Sequence, residues 1–165
     1  MDLLDLLLHE HAEIRTWALA PRPWPIQQFE EFSWFVIQCH ATHLEDETLF
    51  PLLRSRMAGR DEFLRSLSRI AADHRLLATL AGNTAKYGRE GADVYPRRVD
   101  DYFKLLQFHN DAEEEMVFTA WAELPAADRE DASARAAGSA RRCASSGPYL
   151  RYSGLAERTL GYLGS

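Results

Sequence analysis

Six histidines fall in four places along the chain: His9 and His11, His40 and His43, His74, and His109. Two of them open an HxxxE pair, His43 with Glu47 and His109 with Glu113. Residues four apart on a helix are displaced by only about 40° and roughly 5–6 Å, so each pair points one way. Imidazole suits Zn, Cu, Fe and Ni, and carboxylate suits harder ions. A mixed set therefore favours iron or manganese over zinc. Structural zinc asks for four ligands, often cysteines, and neither Cys39 nor Cys143 belongs to a CxxC.

Helices are the elements that must position these groups. Pro21, Pro23 and Pro25 close a first segment, Gly59 a second and Gly82 to Gly91 a third, while Pro96 stands in the first turn of a fourth that ends before Pro125. Within each segment apolar residues recur at three- and four-residue steps, the sign of one buried helical face. The stripes read Leu4, Leu7, His11, Ile14; then Phe32, Val36, Cys39, His43, Glu47, Phe50; then Leu67, Ile70, His74, Leu77; then Tyr102, Leu106, His109, Glu113, Met116. The spacing predicts helices near 2–19, 26–57, 60–87 and 96–123, and short connections predict an all-α, antiparallel up-down-up-down four-helix bundle. Residues 1–125 form this domain. Residues 126–165 form a C-terminal extension, rich in Ala, Ser, Arg and Gly, that is weakly structured or docked on the bundle through Tyr149, Leu150, Tyr152, Leu155, Leu160, Tyr162 and Leu163.

A histidine interrupts the apolar face of every helix near its middle, and a glutamate follows on the second and fourth. Buried ionised glutamates cost several kcal/mol each unless compensated, so two of them among four histidines call for a cation. The order is also repeated. Glu10-His11 is matched by Asp73-His74, and His43 to Phe50 by His109 to Phe118. The two halves are expected to face each other, with His43/Glu47 opposite His109/Glu113 and with His11 and His74 at the two ends. The six side chains should converge on one buried point. Pro51 lacks the N–H that would bond the Glu47 carbonyl, so the second helix should kink or end there. His40, one turn before His43, is open to three roles: an extra ligand, a partner behind the ligands, or a surface group. Ferritin-like sites carry ExxH. Here the residues three before each histidine (Leu6, Leu8, Ile37, His40, Ala71 and Leu106) include no acid.

The EHAEI segment (10–14), HLEDETLFP (43–51), DHRLL (73–77) and HNDAEEEMVF (109–118), in that order, resemble the hemerythrin-like, HHE cation-binding domain over about residues 2–124. The resemblance implies a four-helix bundle around two non-haem, oxygen-bridged Fe ions. It places His11, His43, Glu47, His74, His109 and Glu113 at the metal, the two glutamates bridging. Oxygen-carrying hemerythrins have a further histidine where Ala78 stands and an aspartate where Glu114 stands. The pattern resembles instead the bacterial and iron-sensing members. The function so implied is binding or sensing of O2, nitric oxide (NO) or iron. The alternative is an oxidoreductase acting on nitric oxide or peroxide at the same centre. No GxGxxG fingerprint is present to bring a nicotinamide or flavin to the site.

Composition narrows the partners. Net charge is −6, with 19 basic and 25 acidic residues, which argues against the basic face of a nucleic-acid binder. No apolar run approaches the roughly 20 residues of a membrane span, and Asp2 stands where a signal peptide carries basic residues. Two cysteines make no disulfide framework and suit a reducing cytoplasm. Cys39, on the buried stripe, reads as core packing.

Overall fold

A capping box starts the first helix. Asp2 accepts from the Asp5 N–H, and the Asp5 side chain returns to the Asp2 N–H, opening α1 (Leu3–Ala18). After the proline-rich turn, α2 (Ile26–Trp34) runs without interruption into a π-helical segment (Phe35–Leu49) and then α3 (Phe50–Arg56). In the π segment the backbone bonds reach i→i+5, as from the Phe50 N–H to the Glu45 carbonyl. Two threonine hydroxyls repeat that reach, Thr42 to the Ile37 carbonyl at 2.7 Å and Thr48 to the His43 carbonyl at 2.8 Å. Pro51 does not end the helix. It sits in the first turn of α3, one residue past the change of winding.

Gly59, with φ +89°, turns the chain into α4 (Asp61–Arg89), and α5 (Tyr95–Met116) follows with Pro96 in its first turn. A 3₁₀ stretch (Phe118–Glu123) leads to α6 (Ala126–Ala144) and the short α7 (Tyr149–Ser153). This computed structural model describes residues 1–145 and 147–155, and no strand occurs among them. Leu160, Tyr162 and Leu163 lie outside the described residues. No helix among the described residues is long and apolar enough to cross a membrane.

α4 lies along α5, and α6 packs on the π segment and α1. The buried face of α6 is Ala132, Ala136, Ala137, Ser139, Ala140 and Cys143, small side chains that allow close approach. A search for large apolar residues therefore understates this helix. Cys143 bonds Cys39 across a sequence separation of 104, so the cysteines read as unpaired in the sequence are joined. No motif spacing could show a pairing this distant. Disulfides are rare in reducing compartments, which sets this bond against the expected cytoplasmic setting. Aromatic rings gather around Phe32, with Trp24, Phe103 and Tyr152 at 5.2, 5.0 and 5.6 Å between centroids. α7 is docked by His9, whose Nε2 meets the Ser153 carbonyl at 2.7 Å.

Candidate metal centre

Four helical runs bring six titratable side chains to one buried place. His11 comes from α1, His40 and Glu45 from the π segment, His74 from α4, and His109 and Glu113 from α5. They form two groups able to hold a metal ion: His11, His40, Glu45 and Glu113, and then Glu45, His74, His109 and Glu113, with donor atoms within 4.8 Å of one another in each. Both glutamates belong to both groups. Glu45 sets Oε1 3.5 Å from His40 Nε2 and Oε2 3.2 Å from His74 Nε2. Glu113 sets Oε2 3.5 Å from His11 Nε2 and Oε1 3.3 Å from His109 Nε2. The imidazoles pair within each group, Nε2 to Nε2, at 3.0 Å for His11 and His40 and 3.1 Å for His74 and His109.

Every outward-facing Nδ1 has a carboxylate nearby. His11 meets Glu114 at 2.8 Å, His40 meets Glu10 at 2.7 Å, His74 meets Asp46 at 3.0 Å, and His109 lies 3.5 Å from Asp73. A carboxylate behind an imidazole fixes its ring orientation and raises its basicity as a ligand. The arrangement follows the repeat in the sequence. Glu10 and Asp73 each precede a histidine and back the imidazole of the next run, whereas Asp46 and Glu114 each follow a glutamate and back a histidine of the other half. Aromatic covers obey the same rule. Phe50, five residues after Glu45, stacks on His74, and Phe118, five after Glu113, stacks on His11.

Of the six residues expected at the metal, the structure brings His11, His74, His109 and Glu113 into the clusters and places the two from the second helix elsewhere. His43 and Glu47 lie outside the clusters, 33% and 56% exposed, bonded to each other at 2.8 Å. His40 and Glu45 stand inside in their place, 2% and 0% exposed. The cause is the winding. In a helix bonded i→i+5, side chains five apart share a face, and Phe35, His40, Glu45 and Phe50 are all buried. A stripe at five-residue steps was the available signal, and a 3.6-residue period passes over it. The backing acids Glu10, Asp46, Asp73 and Glu114 were likewise legible only as neighbours of the clustered residues.

The electrostatics describe a site with donors in surplus. Burial lowers the His40 pKa, but Glu45, Glu10 and Glu113 outweigh it and hold the imidazolium up to about 9. Burial acts the same way on His74, where Asp46, Glu113 and Glu45 raise the value to about 12. His109 is also raised, against its burial, chiefly by Glu113. Burial would push the Glu113 carboxyl up, yet His109, His11 and His74 hold it well below its ordinary range. Even so, all four carboxylate oxygens of Glu45 and Glu113 are buried without a hydrogen-bond partner. Buried polar groups in native proteins are normally satisfied. Unpartnered carboxylate oxygens facing imidazole nitrogens are what a bound cation would satisfy, and nitrogen and oxygen donors together fit a transition metal.

No protein-family model matches this chain, and no curated protein or solved structure matches it either.

Proposed function

We propose that the chain is a non-haem di-iron protein of hemerythrin-like type, which binds or senses O2, nitric oxide or iron. The observation that supports this reading is the pair of buried, unpartnered glutamates shared between two groups of imidazoles. His11 and His40 would hold one iron, His74 and His109 the other, and Glu45 and Glu113 would serve both. Such a pair of irons supplies redox chemistry toward O2, nitric oxide or peroxide. The chain's own part is to present neutral Nε2 atoms, to fix the His11 and His40 rings through Glu114 and Glu10, and to stack Phe118 and Phe50 on His11 and His74.

Metal analysis after expression in iron-replete medium should give close to two irons per chain. Stopped-flow spectra of the diferrous protein with O2, nitric oxide and H2O2 then test the function. A diferrous spectrum that returns when O2 is removed supports binding. Irreversible oxidation with N2O production or peroxide loss assigns the centre to a di-iron oxidoreductase instead. Zinc alone, with no charge-transfer absorption after exposure to oxygen, overturns the iron assignment.

A further inference from the structure

One residue reaches the centre from outside the span that carries the family resemblance. Tyr149, at the start of α7, is fully buried, and its hydroxyl donates to Glu10 Oε1 at 2.5 Å. The other oxygen of that carboxylate, Oε2, holds His40 Nδ1 at 2.7 Å. Glu10 differs from the other three backing acids. Its side chain is 0% exposed, whereas Asp46, Asp73 and Glu114 are 38%, 32% and 30% exposed. Those three can be steadied by water. Glu10 cannot, and without the tyrosine its Oε1 would be left in the core with no donor among the described residues, free to swing off the imidazole.

We infer that Tyr149 is a positioning residue for the metal centre, holding His40 in ligating orientation through Glu10. The inference rests on the metal reading above and extends it to the C-terminal extension. α7 is held for this purpose from two sides, by His9 on the Ser153 carbonyl and by α6, which the Cys39–Cys143 bond ties to the residue next to His40. Among the described residues the other half of the repeat has no such tyrosine: Asp73 behind His109 is partly in solvent. The two ions should therefore respond differently to changes at the extension.

The test is titration of the metal-free, full-length chain with Co2+, followed by its visible absorption. Wild type should take up two equivalents. Y149F should weaken one of them about tenfold to a hundredfold, the range for loss of a partner behind a metal-bound histidine, and leave the other unchanged. The same substitution should have no further effect in an H40A background and its full effect in H109A. Y152F is the control, since Tyr152 is buried on the same helix but donates to Gln28 and Glu31 rather than to the centre; both equivalents should persist. An unchanged isotherm for Y149F overturns the inference, and so does an equal loss of both equivalents in Y149F and Y152F, which is what plain destabilisation would give. Should Y149F fail to fold, E10Q carries the same expectation of one weakened equivalent, and an unchanged E10Q overturns the inference. A wild-type chain that takes up no Co2+ overturns the metal reading itself, and the inference with it.

Discussion

Glu45 and Glu47 are two residues apart and of one type, yet their positions differ as far as positions can. Glu45 is buried with both oxygens unpartnered, and Glu47 is mostly in solvent beside His43. E45A should therefore remove most bound metal, while E47A should leave metal content close to wild type; metal analysis of the purified variants decides between them. Protonation is the second consequence at this scale. In the metal-free chain His40 and His74 are raised to about 9 and about 12, above the roughly 6.5 of an unfolded histidine. Their stabilising contribution is fully present below about pH 6.5 and is lost as pH rises through about 9 and on toward 12. Glu113 works in the other direction: its lowered pKa gives stability that is present above the ordinary carboxylate range and lost on acidification. Urea melts of the metal-free chain should show stability falling between pH 8 and pH 10, and a flat profile there would count against the charged imidazoles. Metal requires the neutral form, so ion uptake at neutral pH should release protons.

The helical elements were legible because their apolar stripes and their Pro and Gly punctuation are local. α1 and α4 lie within two or three residues of where periodicity puts them, and the run from Ile26 to Arg56 matches the expected second helix in extent. What periodicity missed was a change of winding inside that run, because the same residues satisfy both a 3.6-residue and a five-residue reading. His43 and Glu47 fit the first, His40 and Glu45 the second, and only packing decides. The threonines mark the decision. Thr48 donates to the carbonyl five residues back and is almost fully buried. T48V keeps the shape and removes the bond, so it should lower stability by about 1 kcal/mol, the net worth of an ordinary internal hydrogen bond. A denaturant melt measures it; no change would mean that the hydroxyl follows the winding without supporting it. α6 was legible only as a weakly structured or docked segment for a different reason, because an alanine-rich face carries little signal on a scale that rewards large side chains.

At the scale of the molecule, one covalent long-range device holds the centre together, and on the di-iron reading an ionic one would join it. The disulfide closes a loop across a separation of 104 residues, and loops of about that length are stabilised by up to roughly 4–5 kcal/mol in the chain-entropy view. C143S should therefore lower the melting temperature under oxidising conditions and erase the difference that a reductant makes in wild type. The ionic device acts by mass action. An ion that binds only the folded chain, present at about a thousand times its Kd, adds about 4 kcal/mol, and a domain of this size shifts by roughly 2–4 °C per kcal/mol. Chelation should then lower the melting temperature by about 8–16 °C for each ion lost. Proton uptake by His40 and His74 offsets part of that fall, since imidazolium can stand in for the cation beside Glu45 and Glu113. The drop on chelation should accordingly be larger at pH 9.5, where His40 has lost most of its proton, than at pH 6.5. Calorimetry with and without chelator at the two values reads this directly. A drop that is equal at both would show that imidazolium does not stand in for the ion, and no drop at either would mean that no ion stabilises the fold.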